Sequence, residues 1–224
     1  MRTKKGRSRA LDKFSPPYGN SLVFNVLQLF SMATTDEIKA LRDETGVSVM
    51  QCKKALEEAG GDIEKAKVIL RKISAQASAK KADRTLGAGT AAAYTHAGGA
   101  VVGAVVLACE TDFVSRNPDF AKLAYDIAMH VAAMAPQFKT RDDVKDEDLK
   151  AAREVFKKEV ANVPEDKRAK ALEGKLESFI NEKVLLDQAF VKDASITIRG
   201  LIDGAVQKFG EKVEVVRFER LSVK

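Results

Sequence analysis

The chain has no tryptophan, only two cysteines, two histidines and five prolines in 224 residues. Each scarcity excludes something. Cys52 and Cys109 stand far apart, with no neighbouring Cys or His at zinc-ligand spacing, so neither a disulfide framework nor a zinc site can be read from them. A buried, unreactive role is the simpler reading of both. His96 and His130 are too few and too separated for a histidine-based metal site, and no nucleophile pattern accompanies them. No apolar run approaches the ~18 residues of a membrane helix. No Gly-rich loop is followed by Lys-Ser/Thr, so a phosphate-cradling Walker motif is absent. Gly98-Gly99 could approach a phosphate, but two apolar runs flank it and favour a turn.

What is present is ample apolar material, 45% of residues, beside 31% charged. That is enough for a packed core without a metal or disulfide staple. Net charge is +6, and it is uneven. Residues 1–31 hold six cations, Arg2 to Lys13, against Asp12 alone, a net +5, while the remainder is nearly balanced. A nucleic-acid footprint needs basic residues gathered on a folded face, and the remainder gives no reason to expect one. The arm is basic, then broken by Pro16-Pro17 and Gly19, then apolar from Leu22 to Phe30. It permits a signal peptide, a transit peptide, or a disordered or non-native extension with Met32 opening the folded protein. We favour the last, because a helix start follows Met32 at once. An intracellular, cytoplasmic protein is expected.

Residues 33–73 read as three short helices. Thr34 with Glu37 and Ser48 with Gln51 fit capping boxes, Val47 and Cys52 fit a hydrophobic staple, and Asp62 can cap the third helix after Gly60-Gly61. Residues 74–89 are small, polar and then Gly-rich, as in a linker, although the alanines could prolong the third helix. From residue 90 the period changes. Thr90–Thr95 and Val101–Glu110 suggest a β-hairpin, with His96 in its turn. Asp112-Phe113 falls on a loop, followed by a helix with Asn117 as cap and Pro118 in its first turn. Residues 146–190 suggest an antiparallel helical hairpin, the second helix running from Pro164 to Phe190, with Val155, Val160, Leu172, Leu176, Phe179 and Ile180 marking buried stripes. A helix over Ser195–Phe209 and a strand over Lys212–Lys224 follow. Three strands from separate segments and segregated helices make residues 90–224 an α+β core with an antiparallel sheet.

Several stretches together resemble one family. Leu41-Arg42-Asp43-Glu44-Thr45-Gly46, then Cys52-Lys53-Lys54-Ala55-Leu56 and Gly61-Asp62, are similar to the amino-terminal, UBA-like module of elongation factor Ts. Cys109-Glu110-Thr111-Asp112-Phe113-Val114 resembles that family's central signature, and Ile127-Ala128-Met129-His130-Val131-Ala132-Ala133 and Val216-Arg217-Phe218-Glu219 also fit. The resemblance covers about residues 33–220; the arm departs from it. It implies a guanine-nucleotide exchange factor, not an enzyme, that promotes GDP release from the GTPase elongation factor Tu and itself takes no nucleotide, metal or other cofactor. It implies an exchange loop of Thr111, Asp112, Phe113 and Val114, with Phe113 wedging into the GTPase and Asp112 disturbing its magnesium site. Leu41, Val49 and Met50 would form a docking patch on the amino-terminal module, and His96, Met129 and His130 further partner contacts. Longer relatives carry the core module twice and this chain once, which implies a homodimer. Read without the family, the residues leave open a helical peptide-binding module on an α+β scaffold, nucleic-acid binding through the arm, and an enzyme using His96, Asp112 and His130, the last weakened by the missing nucleophile.

Overall fold

A computed structural model describes residues 33–223; the basic arm and the proposed start at Met32 lie outside these residues. The first unit holds α1 (Thr35–Thr45), α2 (Val49–Glu58) and α3 (Ile63–Ala79). The Thr34 hydroxyl accepts from the Glu37 amide while the Glu37 carboxylate accepts from the Thr34 amide, the reciprocal box expected from the sequence. Gly46 closes α1 in the left-handed region, at φ 67°. The second box does not form: the Ser48 hydroxyl donates to the Gln51 side chain at 3.1 Å instead of capping a backbone amide. Val47 and Cys52 are both buried, and with Leu41, Ala55, Leu56, Ala66 and Leu70 they make a small apolar core.

The expected linker is half helix. Helix α3 runs on to Ala79, and its continuation packs along a core helix, α8 (Ile198–Phe209). Arg71 on α3 donates to the Ser195 carbonyl oxygen and to its hydroxyl. Ser74, in the same stretch, is buried. The three-helix unit is therefore mounted on the core through its third helix.

The core sheet contains β1 (Ala88–His96), β2 (Val101–Cys109) and β5 (Val213–Ser222), antiparallel in the order β1-β2-β5, with a register shift at Val106/Leu107. Alternation divides its residues. Gly103, Val105, Leu107 and Cys109 of β2 face α5 (Pro118–Met134) and the main core. Ala91, Ala93, Val102, Ala104 and Val106 take the other face, with Val216 and Leu221 of β5, and Val106, Val216 and Leu221 are exposed. On the inner side α5 comes to backbone distance. A Cβ at Gly103 would stand 2.2 Å from the Ala128 carbonyl oxygen and 2.6 Å from the Ala132 nitrogen.

The helical hairpin is α6 (Asp146–Glu159) and α7 (Glu165–Lys183). The second helix stops at Lys183, not Phe190. Phe190 belongs to β3 (Ala189–Phe190), which pairs with β4 (Asp193–Thr197) in a small second sheet that the periodicity did not reveal. Ser195 accordingly lies on β4, and α8 begins at Ile198 with Thr197 as its cap. Neither hairpin helix buries a residue of its own. Phe156 meets Phe179 edge-on at 6.0 Å, Lys175 pairs with Glu159 at 2.7 Å, and only Val160, at the tip turn, is buried. Val155, expected in the stripe, points outward because α6 has one neighbour and Phe156 takes the contact. At the hairpin base, the Gln137 and Phe138 amides donate to Lys183 O and the Leu185 amide donates to Phe138 O.

The contact at Gly103 gives a sharp expectation. Gly103→Ala must displace backbone, which overpacking data put at about 1–3 kcal/mol, or a Tm lowered by roughly 2–12 °C for a chain of this size. A thermal melt unchanged from the parent would show that α5 does not rest on β2 in this way.

Candidate functional site

Strand β2 ends at Cys109, and the chain turns through Glu110 and Thr111 into α4 (Asp112–Ser115), a single helical turn where a loop was expected. One turn is too short to be stable by itself, so its position comes from its surroundings. Val114 is buried in the main core. The Ser115 carbonyl oxygen accepts from the Thr90 hydroxyl at 2.8 Å, which ties the turn to β1. Asn117 then caps α5, accepting from the Asp119 amide, with Pro118 in the first turn. The Cys109 thiol donates to Thr111 O at 3.2 Å, and burial pushes that thiol's pKa up.

The consequence is a division within four residues. Phe113 is 82% exposed although it is a large aromatic directly before the buried Val114. It is not a core plug. Asp112 is also exposed, and it forms an ion pair with Arg116, one turn on, at 3.0 Å. Thr111 donates through its hydroxyl to Glu211 Oε1 at 2.6 Å, and the Glu110 and Thr111 amides donate to Glu211 Oε2. Glu110 in turn accepts from the Lys212 amide and from Arg84, which hold its carboxyl below the usual range. Glu211 is a residue that sequence reasoning missed. It lies 100 positions from Thr111 in the chain, and no spacing signals the pair.

The other expected site residues separate into exposed and buried. Val49 and Met50, at the start of α2, are 50% and 64% exposed. Leu41 is fully buried under them in the module's core and cannot belong to a docking patch. Val114 is likewise core, so of the four residues expected in an exchange loop Thr111, Asp112 and Phe113 are exposed. His96 is exposed at the end of β1, its Nδ1 3.1 Å from the Tyr94 hydroxyl. Met129 is half-buried. His130 is fully buried and turned away from any partner. Its Nδ1 accepts from the Val191 amide and its Nε2 lies 2.8 Å from Gln188 Oε1. The Gln188 amide nitrogen donates to Glu182 O, which fixes the flip and makes His130 the neutral Nε2–H tautomer. His96, Asp112 and His130 thus have different partners and form no catalytic constellation.

Small-molecule sites are usually concave, and the exposed residues are not. A half-open cleft of about 300 Å3 between the three-helix unit and the core is lined by Val47, Leu70, Leu123 and Phe209 among others, with none of the candidate residues. Among the exposed candidates Val49, Met50 and Phe113 are large apolar residues, which suit a protein-contact surface.

Comparison with known proteins gives the family. A family model described as Elongation factor TS matches residues 30–224. The chain belongs to the elongation factor Ts family. Elongation factor Ts of Herpetosiphon aurantiacus is 43% identical over 192 residues, covering 84% of this chain and 96% of that protein. Elongation factor Ts of Thermotoga neapolitana is 43% identical over 188 residues, covering 84% and 95%, and that of Carboxydothermus hydrogenoformans is 41% identical over 194 residues, covering 86% and 89%. Family membership places the chain among the elongation factors of protein synthesis. Among the described residues, no helix is long and apolar enough to cross a membrane.

Burial of His130 sets a pH dependence. Burial holds the imidazole pKa below its ordinary value of 6.5. The unfolded chain therefore takes up this proton at higher pH than the folded chain, and stability must fall as pH drops below about 6.5, until the folded group also protonates. Urea unfolding at pH 7.5, 6.5 and 5.5 should show that decline, and His130→Gln should reduce its slope. A slope identical in parent and variant would contradict the assignment.

Proposed function

We propose that the chain is a guanine-nucleotide exchange factor that accelerates GDP release from the GTPase elongation factor Tu. The observation that carries this reading is Phe113: an exposed aromatic on a one-turn helix whose flanks are fixed to β1, β2 and the core. Leaving a phenylalanine in water forfeits burial worth ~1.5–3 kcal/mol, which an interface would recover.

The mechanism is one of linkage. The factor binds best to a form of the GTPase that holds GDP poorly. Binding of the factor therefore weakens GDP, and GDP weakens the factor by the same factor. No bond is made or broken, so no nucleophile, metal or cofactor is needed on this chain. Phe113 enters between helices of the GTPase as a wedge. Asp112 disturbs the surroundings of its magnesium ion, whose bridge to phosphate contributes to GDP affinity. Val49 and Met50 supply a separate docking contact, so affinity and exchange are divided between the two units.

The factor acts as a homodimer in the cytoplasm. The outer face of the sheet exposes Val106, Val216 and Leu221 beside the Arg217–Glu219 ion pair, and these apolar residues support self-association of the kind in which the same patch meets itself about a two-fold axis. Light scattering at micromolar concentration should give twice the mass of a single chain. A single-chain mass would overturn the dimer and leave the exchange reading standing.

The exchange reading is tested by release of a fluorescent GDP from the GTPase. Phe113→Ala should melt with the parent, because its side chain is outside the core, yet slow the maximal release roughly thirtyfold, as loss of ~2 kcal/mol from a buried anchor implies. Asp112→Ala should slow release less, because its action is indirect. Met50→Asp should raise the half-saturating concentration with little change in the maximum. A folded Phe113→Ala protein with undiminished release would refute the wedge.

A further inference from the structure

We infer that Glu211 is a positioning residue for the exchange turn: its carboxylate, reaching from the turn between α8 and β5, holds the backbone that presents Phe113. This rests on the exchange reading above. Phe113 projects from the protein, so nothing in the fold directs its ring except the backbone beneath it. That backbone is a single helical turn, closed by amide bonds from Ser115 to Thr111 O, Arg116 to Asp112 O and Asn117 to Val114 O, all at or beyond Thr111. The residues leading into it, Glu110 and Thr111, have left the β1–β2 ladder, which ends at Cys109. Their amides would face water or lie unpaired.

Glu211 supplies what the ladder no longer does. Oε2 accepts from the Glu110 amide at 3.1 Å and the Thr111 amide at 3.0 Å, and Oε1 from the Thr111 hydroxyl at 2.6 Å. Hydrogen bonds to an ionised acceptor are shorter and about twice as strong as neutral ones. The clamp is reciprocal. Glu110 Oε1 accepts from the Lys212 amide at 2.6 Å, so two adjacent residues of one turn bind two adjacent residues of the other. Arg84 adds a bond to Glu110 at 3.1 Å from the segment that follows α3. Glu211 itself is anchored on both sides, by Gly210 closing α8 at φ 74° and by β5, which begins at Val213. A wedge must arrive in one orientation. Ordering the turn in advance removes conformational-entropy cost from the encounter with the GTPase.

The experiment separates position from fold and from docking. Glu211→Ala should lower the maximal rate of GDP release roughly tenfold, in line with the sensitivity of such steps to small misplacements. It should leave the half-saturating concentration within about twofold, since Val49 and Met50 are untouched. Glu211→Gln keeps a carbonyl oxygen for the two amides and should restore most of the rate. The double variant Glu211→Ala/Phe113→Ala should lose much less than the product of the two single losses, because Glu211 acts through the turn that presents that ring. Amide hydrogen exchange at residues 110 and 111 should be slow in the parent and fast in Glu211→Ala. If the alanine variant does not fold, Thr111→Val removes the Oε1 bond alone and should show a smaller loss of the same kind. A parent that fails to speed GDP release overturns the exchange reading and this one with it. An active parent whose Glu211→Ala variant releases GDP at full rate, or whose losses multiply with those of Phe113→Ala, overturns the clamp alone.

Discussion

The close approach of α5 to β2 at Gly103 is the constraint on which the core is organised. With the Ala128 carbonyl oxygen 2.2 Å from where a Cβ would be, helix and sheet meet without an intervening side chain at that point. Phe120, Ala124, Ile127 and Val131 can then fill the inner face against Val105, Leu107 and Val215. Because α5 is fixed there, its start is fixed too, and so is the one-turn helix at residues 112–115 that joins it to β2. The exposed aromatic is thus presented between β2 and α5, two elements packed backbone to backbone. Binding residues borne on short connections between rigid elements are a general solution, since the connection can present a side chain that the elements would otherwise bury.

The amino-terminal unit is mounted on this core by α3, by Arg71 on Ser195 and by Lys208, which pairs with Asp119 and lies against Gly46. The surface that bears Val49 and Met50 therefore has a set direction relative to the core and does not swing on a free tether. The small module has only seven buried apolar residues. Its packing along α8 adds burial that a unit of this size cannot supply by itself.

Much of this was legible in the sequence because the signals are local. The Thr34–Glu37 box, the Asn117-Pro118 start and the Gly-containing turn between β1 and β2 are each decided within a few residues, and each is found in place. What failed depends on distant neighbours. Leu41 and Met50 are both apolar residues on short amphipathic helices, and only the packing of α1 against α2 and α3 decides that one is core and the other surface. Val114 and Phe113 are adjacent and have opposite fates for the same reason. The β3–β4 pair has only two and five residues, too few for alternation to register, so Phe190 and Ser195 were absorbed into neighbouring helices. His130 sits on a helix face whose cover, Gln188 and Val191, comes from sixty residues on.

The helical hairpin has a different kind of independence. Its two helices touch chiefly each other, while the chain entering at Phe138 and leaving at Val184 is already joined by backbone hydrogen bonds at its foot. The core is thus closed beneath the hairpin, and residues 146–183 amount to a long excursion from a sealed base. Closing such an excursion depends only weakly on its length, about 0.6 kcal/mol for each doubling. Changes in the length of the hairpin therefore cost little to the body that carries Phe113, and the hairpin's surface bears no part of the core's closure.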